Sequence, residues 1–243
     1  MLMRAQALYL ENATHPQARA CACCEVRRGS LFGVLDASAL DRIRAHVAAP
    51  QLKTGEYVYS RGESGGAVYT IRVGIVRFER TTEGGRRRIL RMASRGDLIG
   101  QEALLDRPYG DDAVACTPVE LCRIPASLVR ELGDTQSTLR YELMNRWQRA
   151  LDEAETWATE LPAGSARRRV LKLLLLLARH ADAEGRMWLP QRNEIGDMLD
   201  MTLETSSRQI SQLRREGLIE LLDTRQARVH LPALQAALQA EDA

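Results

Sequence analysis

The sequence predicts an α+β fold in which a β-rich part, a long helix and a compact helical part follow one another along the chain. Three observations predict it. Between about Leu31 and Pro125, short β-branched and aromatic runs are divided by glycines at positions 55, 62, 65, 66, 74, 84, 85, 96 and 100. That spacing belongs to many short antiparallel strands in a sandwich or barrel. After Pro125 the apolar period changes to that of a helix. From residue 166 onward, helix, helix, turn, helix and an extended pair succeed one another in the order of a winged helix-turn-helix.

The composition fits such a fold. The chain has 243 residues, 45% hydrophobic and 27% charged, with a mean hydropathy of −0.29; disordered and fibrous classes are excluded. The longest apolar stretch, Val170 to Ala178, is interrupted by Lys172 and falls short of the roughly 20 residues of a membrane span. The opening MLMRAQALYL lacks a small-residue cleavage site followed by a secreted pattern, so a cytoplasmic location is expected. With 34 Lys+Arg against 32 Asp+Glu the net charge is +2, and the balance alone does not announce a nucleic-acid partner. Nearly every cation is arginine, Lys53 and Lys172 being the only lysines. Arginine offers a planar fork suited to phosphates and guanine edges, although genomic base composition produces the same bias.

Residues 1–30 hold Cys21, Cys23 and Cys24 among arginines with no periodic apolar pattern, so this segment is not expected to form a core by itself. Residues 31–126 carry the strands. In residues 127–161, Asp134 can cap a helix running to about Glu160. Its positions Leu139, Leu143, Ala150, Ala154, Trp157 and Leu161 recur in steps of three, four or seven and form one apolar face. A rod of about 39 Å exceeds what one small domain needs, so a second copy of the chain is the natural partner; the alternative is packing on its own sandwich. Leu161-Pro162-Ala163-Gly164-Ser165 then breaks the helix and opens residues 162–243. There the elements are a helix through ARRRVLKLLLLLARHA, a short one near Asn193 to Leu199, a turn at Asp200-Met201, a helix from Leu203 to about Glu216, and the pair LIELLDTRQARVHL.

In a helix-turn-helix the second helix enters the major groove and its first turns touch base edges. Glu204 and Arg208 lie four apart, on one face, with Ser207 beside them. Glutamate can accept from a cytosine amino group, arginine can fork onto guanine O6 and N7, and serine can serve either. Thr202 and Thr205 can bond phosphates or cap the helix, and Arg192 lies where the preceding helix would cross the backbone. The competing reading is a Glu204–Arg208 surface ion pair worth only a few tenths of a kcal/mol.

Three segments, GDLIGQEALLD (Gly96 to Asp106), ELCRIP (Glu120 to Pro125) and RNEIGDMLDMTLETSSRQISQLRREGLIE (Arg192 to Glu220), carry a family resemblance. From about Leu31 onward the chain resembles the CRP/FNR superfamily of bacterial transcription regulators. The resemblance implies a cyclic-nucleotide-binding-like β-roll (jelly roll), a long dimerisation helix and a C-terminal winged helix-turn-helix. It also implies a homodimer on double-stranded DNA with RNA polymerase as a further partner. The pattern Glu204-x-x-Ser207-Arg208 is similar to the oxygen-sensing FNR branch, which implies a TTGAT-type palindrome; the cyclic-AMP branch has Arg where this chain has Leu203.

A cyclic nucleotide is not expected. Where the family holds it with a Glu after the glycine of its G-D-x-I-G run, this chain has Gln101, with Glu102 adjacent. Where the family has Arg-Ser, this chain reads Arg107-Pro108-Tyr109-Gly110-Asp111-Asp112, and two carboxylates repel a phosphate. In the FNR branch three N-terminal cysteines and one in the β-roll hold an iron–sulfur cluster of the 4Fe–4S type, a centre that usually takes four thiolates. Cys122 falls on the β-roll ligand, and Cys21 and Cys24 reproduce the C-x2-C step. The third N-terminal ligand falls on Ser30, and Cys23 is its replacement. The resemblance therefore implies Cys21, Cys23, Cys24 and Cys122 as the metal ligands and oxygen, nitric oxide or redox state as the signal.

Direct thiol sensing, haem and a cofactor-free regulator are the alternatives. The candidate axial ligands His15, His46 and His180 show no spacing that favours haem. Cys116 reads as a small buried hydrophobe. Arg86-Arg87-Arg88 reads as a solvated hairpin edge or a promoter or polymerase contact. An enzyme has little support, because the chain has no Walker loop, G-x-S-x-G, H-E-x-x-H or Rossmann fingerprint.

Overall fold

The structure is a computed structural model that describes residues 26–85, 87–182 and 184–242. It begins with helix α1 (Val26–Gly29), a 3-10 turn (Leu31–Val34) and helix α2 (Ala37–His46). The sequence expectation had strands from Leu31, and α2 corrects it. The Asp36 carboxylate accepts from the Ala39 amide at 2.8 Å and starts the helix. Ala39, Leu40 and Ile43 then bury one helical face.

Eight strands follow: β1 (Gln51–Leu52), β2 (Tyr57–Tyr59), β3 (Ala67–Val73), β4 (Val76–Thr81), β5 (Arg87–Ala93), β6 (Leu98–Ile99), β7 (Asp112–Ala115) and β8 (Val119–Pro125). They form two four-stranded sheets, in the orders β1-β8-β3-β6 and β2-β7-β4-β5, which is the jelly-roll expectation. Glycine is required at the β3–β4 turn: Gly74 has φ +93°, and a Cβ there would stand 2.3 Å from the Pro118 carbonyl oxygen. Val68, Ile71, Val76, Ile99, Leu121 and Ile124 fill the interior.

Helix α3 (Ala126–Thr135) and helix α4 (Ser137–Thr159) come next. Asp134 therefore lies inside the last turn of α3 and does not cap the long helix. The break falls at Gln136, which is extended at φ −121°, ψ 100°.

In the C-terminal part, Ser165 caps α5 (Ala166–Ala178) by accepting from the Arg168 amide at 3.1 Å. The leucine run buries Leu171, Leu173, Leu174 and Leu177. Then come β9 (Arg186–Trp188), α6 (Arg192–Leu199), α7 (Leu203–Arg215), β10 (Ile219–Leu221), β11 (Gln226–Val229) and α8 (Leu231–Asp242). The wing sheet has the order β10-β11-β9. Strand β9 and helix α8 were not anticipated; α8 packs on α5 and buries Leu234.

Contacts divide the chain into two compact units, one comprising the residues up to Arg77 with Met92–Ala150, the other Phe78–Arg91 with Leu151–Ala243. Among the described residues no helix is long and apolar enough to cross a membrane.

Candidate nucleic-acid interface and the Cys122 pocket

The helix-turn-helix is held together by short-range bonds. The buried Glu194 closes a capping box at the start of α6, accepting from the Gln191 amide at 2.8 Å. The same carboxylate pairs with Arg225 of the β10–β11 turn, so one buried acid ties α6 to the wing. Asp200 makes the turn in the left-handed region at φ 53°. Gly196 lets that turn close, because a Cβ there would sit 2.6 Å from the Met201 carbonyl oxygen. Thr202 caps α7, accepting from the Thr205 amide at 3.2 Å. The fully buried Ser206 donates from its hydroxyl to the Thr202 carbonyl at 3.0 Å.

This framework places the predicted reading groups together. Glu204 and Arg208 are exposed and Ser207 is half-buried on the first two turns of α7. The Glu204 carboxyl is held below its ordinary pKa, first by its own backbone N–H and then by the Thr202 side chain. Among the described residues no ion pair joins Glu204 to Arg208, and both side chains are exposed. Thr202 and Thr205 serve the cap. Arg192 is half-buried at the start of α6, and burial followed by the neighbouring Arg214 lowers its pKa.

The Arg86-Arg87-Arg88 reading needs correction. Arg86 lies outside the described residues. Arg87 donates to Asp197 at 2.9 Å and Arg88 to Asp200 at 3.3 Å, so these two cations, though partly exposed, are engaged by acids of the helix-turn-helix.

The apolar residues of α4 do not all face outward. Leu139 is fully buried within the chain itself, so it belongs to the core rather than to a seam. Leu143, Ala150, Ala154 and Trp157 are half-buried. The large exposed apolar side chains are Tyr141 (67%), Met144 (64%), Trp147 (38%) and Leu151 (52%), in steps of three, three and four. Sequence periodicity missed this second stripe, which runs beside the first.

Cys122 lies on β8, half-buried, in the wall of a pocket. Val26, Ser30, Ile43, Thr70 and Ile124 are among the other walls, and the empty space is about 450 Å³ including its open mouth. Cys116 is buried, at 2% exposed, with the Arg77 guanidinium 3.9 Å from its sulfur. Cys21, Cys23 and Cys24 lie outside the described residues. Among the described residues no group of three or more His, Cys, Asp or Glu is placed to hold a metal.

Sequence reasoning also missed Arg146 on α4. It is buried, pairs with Glu142 at 2.9 Å, and donates to the Gly96 carbonyl at 3.0 Å and the Gly29 carbonyl at 2.6 Å. Burial lowers its pKa and Glu142 partly restores it. Near Gly100, Tyr109 is buried and stacks on Tyr59 with ring centroids 3.9 Å apart. Its hydroxyl donates to the Ala67 carbonyl at 2.7 Å, and burial raises its pKa.

A jelly roll, a long helix and a capped helix-turn-helix with a wing define a class: the DNA-binding regulators. Comparison with known proteins agrees. Residues 50–136 match the cyclic nucleotide-binding domain family and residues 168–237 the Crp-like helix-turn-helix domain family. A probable transcriptional activator of Rhizobium leguminosarum bv. viciae is 28% identical over 207 residues, covering 83% of this chain and 85% of the relative. Transcriptional activator protein FnrA of Stutzerimonas stutzeri is 29% identical over 174 residues, covering 70% and 71%. The solved structure of FixK2 from Bradyrhizobium japonicum superposes with a TM-score of 0.72 at 27% identity, covering 81% of this chain and 98% of that one. The chain belongs to the CRP/FNR family of transcription regulators, and it is a DNA-binding regulator rather than an enzyme.

Proposed function

We propose that this chain is a cytoplasmic regulator of the FNR type, a homodimer that reads a TTGAT-type palindrome and senses oxygen, nitric oxide or redox state through an iron–sulfur cluster. In this reading residues 1–30 are the sensor segment, 31–126 the β-roll, 127–161 the dimerisation helix and 162–243 the DNA-binding domain. Cys21, Cys23, Cys24 and Cys122 are the ligands. The observation that carries it is the pocket around Cys122. Two of its walls, Val26 and Ser30, belong to the chain that directly follows the cysteine triplet. Among the described residues Cys122 is the one thiol of the pocket; the other three would come from the sequence before Val26, such clusters being held by thiolates, and the family comparison includes an FNR-named relative.

When bound, the cluster would supply a centre whose redox chemistry responds to oxidants. The residues of the chain do the rest. Ligation by Cys122 would hold the N-terminal segment against β8. Arg146 then carries that state to α4, since its guanidinium grips the Gly29 carbonyl at the end of α1. The exposed stripe Tyr141, Met144, Trp147 and Leu151 is the surface that a second copy would cover, joined at its margin by Leu143, Ala150, Ala154 and Trp157. Two recognition helices can read half-sites roughly 34 Å apart only when the dimer holds that separation. Charge at position 144 or 151 (Met144→Glu, Leu151→Glu) should give a monomer by sedimentation.

At the DNA, Glu204, Ser207 and Arg208 would contact base edges, with Thr202, Thr205 and Arg192 near the backbone. Good bidentate base contacts each discriminate by about 1–3 kcal/mol. A Glu204→Ala/Arg208→Ala variant, titrated against a TTGAT-type palindrome and a scrambled duplex, should bind both with similar affinity. Retained discrimination overturns the assignment. Anaerobic and air-exposed protein should differ in operator affinity, and equal affinities would rule out the sensing reading. RNA polymerase is the proposed further partner.

Gln101, where the family has Glu, and the paired carboxylates Asp111 and Asp112, where it has Arg-Ser, support a regulator without cyclic nucleotide. The remaining reading is a cofactor-free, thiol-sensing or haem-sensing regulator of the same family. Anaerobically purified protein that is colourless and free of iron and sulfide would favour it.

A further inference from the structure

Strands β4 and β5 are neighbours in the sheet β2-β7-β4-β5, yet by its contacts the stretch Phe78–Arg91 falls within the DNA-binding unit. Arg87, at the start of β5, sends Nε and Nη2 to one oxygen of Asp197 on α6, at 3.2 and 2.9 Å. Its Nη1 lies 4.0 Å from the carboxylate of Glu79, a buried acid of β4. Arg87 is therefore steadied by its own hairpin while it holds α6. Arg88 donates to Asp200 at 3.3 Å. The hairpin itself is anchored: Phe78 and Ile89 are buried, and the Arg91 guanidinium stacks 3.5 Å above the Phe78 ring.

The two acids sit at the joint of the helix-turn-helix. Asp197 is in the last turn of α6, and Asp200 makes the turn itself, at φ 53°. Glycine takes that conformation without strain, and aspartate less readily; the carboxylate that the position carries instead is the one that meets Arg88. Both acids also precede the reading groups in a part that must approach a polyanion, where an uncompensated carboxylate repels. The same hairpin engages both.

We infer that Arg87 and Arg88 are positioning residues for DNA reading: they hold the helix-turn-helix by Asp197 and Asp200 and so fix the direction in which α7 is offered to the groove. The inference needs only the DNA binding of the family, not the cluster or the palindrome proposed above. A held reading head stays in its competent orientation. Once released it is competent for a fraction of the time, and its apparent affinity falls by that fraction. The paired side chains are 27–45% exposed, so the hold is modest and weakens with salt.

The test separates holding from charge. The full-length wild-type protein first selects an operator from a randomised duplex pool. Affinities for that operator and for a scrambled duplex are then measured for wild type, Asp197→Asn/Asp200→Asn, Arg87→Gln/Arg88→Gln and the variant carrying all four changes. Asparagine keeps the shape of each acid and tolerates the left-handed turn. Charge alone predicts that the asparagine variant binds DNA more tightly, because it presents fewer negative groups to the phosphates. A hold predicts the reverse: the asparagine variant binds the operator about fivefold more weakly, and the glutamine variant at least as weakly. The fourfold variant is then no weaker than the glutamine one, because the hold is lost only once. Binding to the scrambled duplex changes less. The caps and core of the helix-turn-helix are untouched, so the midpoint of denaturant unfolding should stay near wild type. Tighter or unchanged operator binding by the asparagine variant overturns the inference, and so does an equal loss on both duplexes. A fall in unfolding midpoint that matches the loss of affinity would make the contact merely structural and overturns the role as well.

Discussion

Around the recognition helix, the bonds that position the reading groups are local. Thr202 caps Thr205, Ser206 returns to Thr202, and Gly196 admits the Met201 carbonyl. Around Cys122 the walls come from α1, α2, β3 and β8, between Val26 and Ile124. In the first region the caps and the turn are set by residues a few positions apart, with Arg87, Arg88 and Arg225 adding ion pairs from farther along the chain. The second exists because distant segments converge. Short-range bonds make a reading head that is rigid in itself, whereas a site assembled from separate elements can be opened by moving one of them.

The largest expected effect tests the convergent region. Cys122→Ala should reduce iron and sulfide in the anaerobic protein to background, while Cys116→Ala leaves them at the wild-type level; equal retention in both variants breaks the contrast. Gly196→Ala tests the local region. The added Cβ would meet backbone at 2.6 Å, and the overpacking should cost about 1–3 kcal/mol in denaturant unfolding of the DNA-binding part, with iron content unchanged. Thr202→Ala removes the cap and should cost about 1 kcal/mol by the same measurement.

The smallest effect is a pH dependence. The Glu216 carboxyl is held below its ordinary value, chiefly by the Arg167 hydrogen bond. Its contribution is present above the ordinary carboxylate range and is lost as pH falls through the depressed value. Both groups are partly exposed, so the gain is below about 1 kcal/mol. The difference in melting temperature between wild type and Glu216→Gln should hold from pH 7 to about 5 and shrink as pH falls from there to about 2, and a constant difference down to that pH would deny the ion pair its role.

Legibility in the sequence follows the same division. The turn at Asp200-Met201, the helix from Leu203 and the grouping of Glu204, Ser207 and Arg208 were readable because capping and helical spacing act over a few residues. The glycine-divided strands were readable for a similar reason. Helix α2 was misread as strand because its apolar face is short and precedes the first glycine turn. Asp134 has the chemistry of a cap, yet α3 extends over it and the chain breaks at Gln136. Arg87 and Arg88 gave no sign of their partners, because Asp197 and Asp200 lie more than a hundred residues away, at separations of 110 and 112.

The sequence by itself determined the family, the order of the parts and the helix that carries Glu204, Ser207 and Arg208, because each depends on neighbours in the chain. Tertiary structure decided which apolar stripe of α4 remains exposed, since periodicity announces a face without naming what covers it. It also decided that Arg146 grips carbonyls 50 and 117 residues away. Such partners meet only when strands pair and helices pack, and no local rule encodes the meeting.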